Sequence, residues 1–362
     1  MLSRRAFLAL PALAACSSRS SGGYRGYAFV ANQDGQSLAV LDLEVMAVAR
    51  HISIEGSPAE VLAAATRPMV YALTPETGSI HEIQFYRLTV SRKLPVAATA
   101  VSMTLSPDEK TLFVLARQPR ALIAVDLDSF QPRWSLPLPQ DPLAFATPAD
   151  GKMAAITSAQ GLWLVDLAAR RLRGPVLDGE FGDALFRSDG NLLVAANRGL
   201  HMLSLIDPAS GRLVTHLPLP VRPDHLSVTQ DGGQVFVTGE GMDGVVIVYP
   251  YQTEIGETVL AGHAPGAMAV SSTLLFLASA QSGDVNILDI NSRKVIAVVP
   301  VGADPGAVLI TPDNRYALVL DRKSGDVAVL RASASATKRF RWTLLTLIPV
   351  GERPVSAAVR GV

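Results

Sequence analysis

Residues 264–299 read APGAMAVSSTLLFLASAQSGDVNILDINSRKVIAVV, and this stretch decides the fold. A proline-started apolar segment begins at Pro265, and a second apolar segment covers 274–278. After the polar turn 281–284, a third apolar segment ends on Asp289, and a fourth covers 295–299. Four short apolar segments joined by tight polar turns predict a four-stranded antiparallel sheet.

The same unit recurs along the chain. Its second strands are predicted to begin at Tyr27, Met69, Thr111, Met153, Leu192, Gln234, Leu274 and Tyr316. Subtraction gives spacings of 42, 42, 42, 39, 42, 40 and 42 residues. A period of this length with four strands per unit is typical of the blades of a β-propeller.

The two ends of the chain indicate how the ring closes. The repeats open with a second strand at Tyr27 and end with a lone inner strand at 354–360. Pairing these strands would complete the first sheet and remove both free edges. We therefore predict an all-β chain with a single propeller domain at 27–362, built from eight four-stranded blades and closed by the C-terminal strand. Seven blades is the alternative, if the fourth or fifth unit is deformed.

Residues 1–16 have the features of an export signal. Arg4 and Arg5 precede about ten apolar residues, a run too short to remain as a transmembrane helix. The segment ends in Leu-Ala-Ala-Cys, which resembles the bacterial lipobox, and 3–8 resembles a twin-arginine consensus. We predict a lipid on Cys16, a flexible tether at 17–26, and a periplasmic or cell-surface lipoprotein held to the membrane. The alternative is an ordinary cleaved signal.

Composition excludes several other classes of function. Lys and Arg number 32, as do Asp and Glu, so the chain lacks the net positive charge that nucleic-acid binding requires. Cys16 is the single cysteine. If it carries lipid, neither a disulfide nor a cysteine nucleophile is available to the mature protein.

The repeat resembles the YVTN-repeat family of surface-layer-type β-propellers. The resemblance covers 27–362 and depends on three motifs: the Ser-Pro-Asp turn at 106–108, second strands such as 113–114 (Phe-Val), and third-strand ends such as 288–290 (Leu-Asp-Ile). It implies the fold more strongly than an activity, because one fold serves many functions. Related propellers include lactonases and the haem d1 domain of nitrite reductase, and the sequence itself indicates no cofactor.

Alternation along the inner strands predicts two faces. One set is bulky and is expected to pack between blades: Val61, Met103, Phe145, Leu185, Leu226, Met268 and Val308. The other set is small or polar and is expected to line the central channel: Glu60, Ser102, Ala144, Ala184, His225, Ala267, Ala307 and Ser356. Glu60 and His225 are the titratable members of this predicted ring. Four units separate them, which predicts opposite walls.

Loops at the same end of the propeller add charged side chains, because each blade contributes one loop there. The candidate ligand-binding residues are therefore Glu60, His225, His263, Asp224, Arg222, Asp141, Asp304 and Arg353. The structural alternative is a solvated Glu60, a His225 bonded to loop backbone, and a rim that is charged for solubility alone. His225 and His263 come from neighbouring units, but no histidine pair in the sequence has metal-ligand spacing.

These residues favour a non-catalytic binding or scaffold module, because no acid, base and nucleophile cluster in the sequence. Its partner would be a protein or a small ligand bound at the channel face. The alternative is an enzyme or cofactor-handling propeller, lactonase-like or haem d1-like, that uses the glutamate and histidines of the channel mouth.

A longer connection at 331–342 interrupts the last unit. It contains Lys338, Arg339 and Arg341 beside Phe340 and Trp342. We predict a mobile loop on the face opposite the rim, either in contact with anionic lipid headgroups or without a function.

Overall fold

The computed structural model describes residues 23–334 and 340–362. Thirty-two strands in these residues form eight antiparallel sheets of four. The predicted eight-bladed, all-β propeller is therefore confirmed, and neither unit four nor unit five is lost. The predicted signal segment, with Cys16, lies outside the described residues, as do Lys338 and Arg339.

Blade 1 contains β1 (Gly26–Asn32), β2 (Ser37–Asp42), β3 (Ala47–Ser53) and the last strand of the chain, β32 (Pro354–Gly361). Blade 2 contains β4 (Glu60–Ala63), β5 (Met69–Thr74), β6 (Ser79–Gln84) and β7 (Thr89–Pro95), with a short 3-10 turn at Pro75–Thr77. Blade 3 contains β8 (Thr99–Leu105), β9 (Thr111–Gln118), β10 (Arg120–Asp126) and β11 (Gln131–Pro137). Blade 4 contains β12 (Pro142–Ala146), β13 (Met153–Ser158), β14 (Gly161–Asp166) and β15 (Arg171–Asp178).

Blade 5 contains β16 (Phe181–Phe186), β17 (Leu193–Asn197), β18 (Met202–Asp207) and β19 (Arg212–Pro218). Blade 6 contains β20 (Arg222–Val228), β21 (Val235–Glu240), β22 (Gly244–Tyr249) and β23 (Glu254–Leu260). Blade 7 contains β24 (Pro265–Val270), β25 (Leu274–Ser279), β26 (Asp284–Asp289) and β27 (Lys294–Pro300). Blade 8 contains β28 (Pro305–Ile310), β29 (Tyr316–Asp321), β30 (Asp326–Ala334) and β31 (Phe340–Pro349).

The ring closes through β1 and β32, which pair antiparallel from Gly26 opposite Gly361 to Asn32 opposite Pro354. This pairing supplies the inner strand of blade 1 from the end of the chain, as predicted. Without it, β1 would present an unpaired edge. The second strands begin within one residue of their predicted positions in every blade.

The core consists of the layers between neighbouring blades. Second and third strands are almost wholly buried; Phe29, Phe236 and Phe276 have no exposed surface. Apolar residues therefore recur on both faces of these strands, because each face packs against a blade. Outer strands alternate between exposed and half-buried residues.

Aspartates at the ends of third strands accept backbone hydrogen bonds from the turns that follow them. Asp42 accepts the N–H of Glu44 at 2.9 Å, and Asp207 accepts that of Ala209 at 2.9 Å. The Ser/Thr-x-Asp turns close in the same way, for example Thr311 Oγ1 to Asp313 Oδ1 at 2.6 Å. These bonds fix the tight turns between strands.

The up-and-down order of strands gives the ring two faces. Connections from second to third strands and from one blade to the next lie on what we call the rim face. Connections from first to second and from third to fourth strands lie on the base face. The predicted mobile loop at 331–342 is on the base face, but much of it is strand, because β30 and β31 pair as far as Ala334 opposite Phe340. No helix among the described residues is long and apolar enough to span a bilayer.

Candidate functional site at the channel mouth

A single register position defines the ring of side chains nearest the channel mouth. In most blades it lies two residues after a buried proline that begins the inner strand, as in Pro223 and His225. In blade 5 that buried position is Phe181, which pairs with Asn197 as Pro223 pairs with Gly239. The ring therefore contains Ser356, Glu60, Ser102, Ala144, Asp183, His225, Ala267 and Ala307.

The prediction of Ala184 for this ring was wrong by one residue. A one-residue shift in a strand moves a side chain to the other face, so Ala184 packs against the layer between blades 4 and 5, while Leu185 packs between blades 5 and 6. The signal was present in the sequence: the spacing between units four and five is 39, and 144 plus 39 gives Asp183. Glu60 and His225 are thus joined by a third titratable ring member.

Ring side chains reach the inner strand of the next blade. Ser356 Oγ accepts the N–H of Val61 at 3.2 Å, and Glu60 Oε2 accepts the N–H of Met103 at 2.7 Å. These N–H groups belong to inner edges that have no neighbouring strand, so a side chain from the preceding blade satisfies them. Glu60 is therefore fixed to blade 3.

The Glu60 carboxyl titrates near neutrality. Burial raises its pKa to about 7, and the hydrogen bond from the Met103 N–H opposes this shift. Blades 2 and 6 are four apart in a ring of eight, so Glu60 and His225 lie on opposite walls, as predicted.

His225 pairs with Asp183 across the contact between blades 5 and 6. His225 Nδ1 lies 3.5 Å from Asp183 Oδ2, and the two side chains are 53% and 45% exposed. The carboxylate of Asp183 raises the pKa of His225, mainly by accepting a hydrogen bond. With Nδ1 directed at a carboxylate, Nε2 is left to contact a ligand.

Charged residues of the adjacent rim surround this pair. Arg198 Nε donates to Asp224 Oδ1 at 2.6 Å, and Arg222 Nη2 lies 2.5 Å from Glu180 Oε1. Both pairs join blade 5 to blade 6. We call Glu180, Asp183, Arg198, Arg222, Asp224 and His225 the blade 5–6 cluster.

The other predicted rim residues are also engaged in ion pairs. Asp141 pairs with Arg120 at 3.2 Å, Asp304 with Arg322 at 2.7 Å, and Arg353 with Asp34 at 3.8 Å. His263 Nδ1 lies 2.6 Å from Asp243 Oδ2, and the Ala264 N–H and this histidine lower the pKa of Asp243. These pairs connect loops, so the rim charges have a structural role.

The structure brings together only some of the predicted residues. Arg222, Asp224 and His225 share the blade 5–6 cluster, whereas Asp141 and His263 lie at other blade contacts. Asp304 and Arg353 line a separate cavity of 740 Å³ at the rim between blades 8 and 1. Within residues 23–334 and 340–362, no three His, Cys, Asp or Glu side chains are grouped in a way that could hold a metal ion.

Comparisons with known proteins support the fold. No protein-family model matches the sequence. The seven-bladed β-propeller protein Rv1057 of Mycobacterium tuberculosis (strain ATCC 25618 / H37Rv) is 23% identical over 154 residues, which is 40% of this chain and 37% of that protein. The match thus spans well under half of the curated relative, and that relative has one blade fewer.

Solved structures give the same result over more of the chain. Dihydro-heme d1 dehydrogenase NirN, in complex with DHE, superposes with a TM-score of 0.73 and 14% identity, covering 92% of this chain and 74% of that one. Hydrazine synthase of Kuenenia stuttgartiensis gives 0.59 and 16%, covering 90% and 100%. A functionally unknown protein from Desulfotomaculum acetoxidans DSM 771 gives 0.63 and 10%, covering 92% and 99%. At these identities the likeness shows a β-propeller fold alone, and the YVTN resemblance stays a prediction.

Proposed function

We propose that this chain is an exported, lipid-anchored β-propeller that binds a small polar ligand or a loop of a protein partner at the channel mouth, without catalysis. The observation that carries the proposal is the Asp183–His225 pair, which is half exposed on the channel wall. Asp183 orients the imidazole, and the blade 5–6 cluster supplies further donors and acceptors beside it. Ligand groups that accept a hydrogen bond from His225 Nε2 fit this site.

Purification from the native host tests ligand binding. Co-purifying small molecules and proteins are identified by mass spectrometry in the wild type, in His225→Ala and in a matched rim variant, Arg120→Ala, which lies in a separate ion pair. We expect His225→Ala to lose a ligand that Arg120→Ala retains. Equal retention by both variants would exclude the blade 5–6 cluster as the site.

The anchor requires its own test. We propose that Cys16 carries lipid and holds the protein at the periplasmic or outer cell surface. Mass spectrometry of the N-terminal peptide should show a lipid mass on Cys16, and Cys16→Ser should move the protein into the soluble fraction after a high-salt wash. An unmodified Cys16 in the mature protein would contradict the anchor.

A second candidate is an enzyme or a tetrapyrrole-handling protein, as in haem d1-like or lactonase-like propellers. It is favoured by one observation, a histidine held by a carboxylate, which is an arrangement used for metal ligation and for proton transfer. His225 would be the ligand to such a group, with Glu60 on the opposite wall. A Soret band or bound metal in natively purified protein, lost in His225→Ala, would favour this candidate over the first.

A further inference from the structure

A groove of 1160 Å³ opens on the base face between blades 7 and 8, far from the channel mouth. It is lined by turns of both blades, including Thr273, Ser292 and Asn314, and by Ala332 and Trp342 of the β30–β31 hairpin. The rim residues discussed above take no part in it.

Two features distinguish the groove from the contacts that blades 1, 2 and 4 make with the blades that follow them. In blades 1, 2 and 4, the outer strand carries an arginine that donates to the next blade, to backbone carbonyls in the turn between its third and fourth strands. These arginines are Arg50, Arg92 and Arg173. The equivalent position in blade 7 is Ala297, which pairs with Ile287 as Arg50 pairs with Val40. In blade 8 the tight turn is replaced by the longer hairpin.

Its chemistry is apolar inside and cationic outside. Trp342, 6% exposed, packs edge-to-face on Phe276 with ring centroids 4.8 Å apart and forms part of the floor. Lys294, Arg315 and Arg341 line the groove with a single acidic residue, Asp289. Asp289 already accepts the N–H of Ser292 at 2.6 Å. The groove therefore has an excess of positive charge.

The N-terminal segment leaves the propeller beside this groove. Tyr24 packs against blades 8 and 1, and its pKa is raised by burial and by the nearby carboxylate of Asp313. Asp313 also accepts the N–H of Arg315, which lines the groove, at 3.1 Å. The chain before Gly23 thus starts at the base face, next to the Thr311–Tyr316 turn of blade 8.

Six residues lie between Cys16 and Gly23, and the seven steps along the chain from one to the other can span at most about 25 Å when fully extended. A lipid on Cys16 would hold the base face towards the bilayer and leave the rim face directed away from it. A cationic groove with an apolar floor, facing a membrane at this distance, is complementary to anionic phospholipid headgroups.

We infer that the groove between blades 7 and 8 is a docking site for anionic lipid headgroups of the membrane to which the protein is anchored. The inference rests on the proposed anchor for its orientation, but the groove itself is tested without lipidation. Its role is to fix the propeller base-down, so that the channel mouth is presented to soluble partners.

The test uses the full chain with Cys16→Ser and vesicles of phosphatidylcholine with or without phosphatidylglycerol. Lys294→Gln/Arg315→Gln is compared with Arg117→Gln/Lys323→Gln, which removes the same charge from the rim face. At about 1 kcal/mol per cation near an anionic surface, we expect the groove variant to bind anionic vesicles about 30-fold more weakly. The rim variant should bind as the parent does. The apolar residues before Cys16 are common to all variants, so their contribution cancels.

A second readout uses the lipidated protein. On anionic vesicles, amine-reactive labelling of Lys294 should fall several-fold while Lys323 remains reactive. Equal loss of binding in both double variants, or full binding by the groove variant, would overturn the inference even if Cys16 is lipidated. A Cys16 without lipid would instead remove the anchor and leave the vesicle result standing.

Discussion

Asp321 lies directly opposite Asp326 across the second hairpin of blade 8, and its side chain is fully buried. Asp321 Oδ2 accepts the N–H of Gly302 at 3.0 Å. The Oδ1 atoms of Asp321 and Asp326 accept no hydrogen bond from the described residues. Two carboxyls in contact cannot both ionise at low cost. Burial and Asp326 therefore raise the pKa of Asp321.

This relationship predicts that Asp321→Asn stabilises the propeller most at high pH. A folded-state pKa above the unfolded value of about 3.9 means that stability is lost as pH rises from that value towards the folded pKa, by up to about 1.4 kcal/mol per pH unit. The amide stays neutral, so the gain in unfolding free energy should grow from pH 4 to pH 8. Chemical unfolding over this range measures it. Asp284→Asn is the control, because Asp284 occupies in blade 7 the position that Asp326 has in blade 8, and it faces Ser279 where Asp326 faces a second carboxyl.

Glu60→Gln should flatten the pH dependence of stability over a narrower range of pH. The pKa of Glu60 is raised to about 7 by burial, against about 4.3 when unfolded, so the wild type loses stability between these values. A glutamine oxygen still accepts the Met103 N–H and does not ionise. Glu60→Ala also cannot ionise, but it removes this acceptor, so it should be about 1 kcal/mol less stable than Glu60→Gln at every pH. A wild-type slope that persists in Glu60→Gln would contradict the assignment.

The pKa of His225 should respond to its neighbours in a fixed order. Asp183→Asn should lower this pKa most, because the hydrogen bond to the Asp183 carboxylate is the largest cause of its upward shift. Asp224→Asn should lower it less, and Arg198→Gln should raise it, since this guanidinium opposes the imidazolium. NMR titration of the His225 ring proton measures all three. An Asp183→Asn variant with an unchanged titration would exclude the pair from the site.

Removal of 352–362 should abolish cooperative unfolding. It deletes β32, leaves β1 with an unpaired edge, and strips Val355, Ala357 and Val359 from the layers on either side of blade 1. We expect an aggregating chain that a synthetic 352–362 peptide restores in trans by adding the missing strand. A peptide with Ala358→Asp is the control, since Ala358 faces an apolar layer. A monomeric truncated chain with an unchanged melting temperature would show that the closing strand is dispensable.

The sequence by itself determined the strands, the turns, the number of blades and the closing strand. These features depend on residues near one another in the chain: apolar runs such as 274–278, turns such as that at Asp313, and a period close to 42. Local patterns of this kind specify strand and turn geometry directly. They also identified Glu60 and His225 as members of one ring on opposite walls.

Only the tertiary structure decided what those side chains contact. Asp183 is 42 residues from His225, and the packing of blade 5 on blade 6 brings Asp183 Oδ2 to 3.5 Å from His225 Nδ1. The tertiary structure likewise decided the contact of Glu60 with Met103, the ion pairs of the rim, and the groove beside Ala297. Each contact joins neighbouring blades, and the packing of whole sheets sets which side chains meet there, because no pattern within one blade encodes the position of the next.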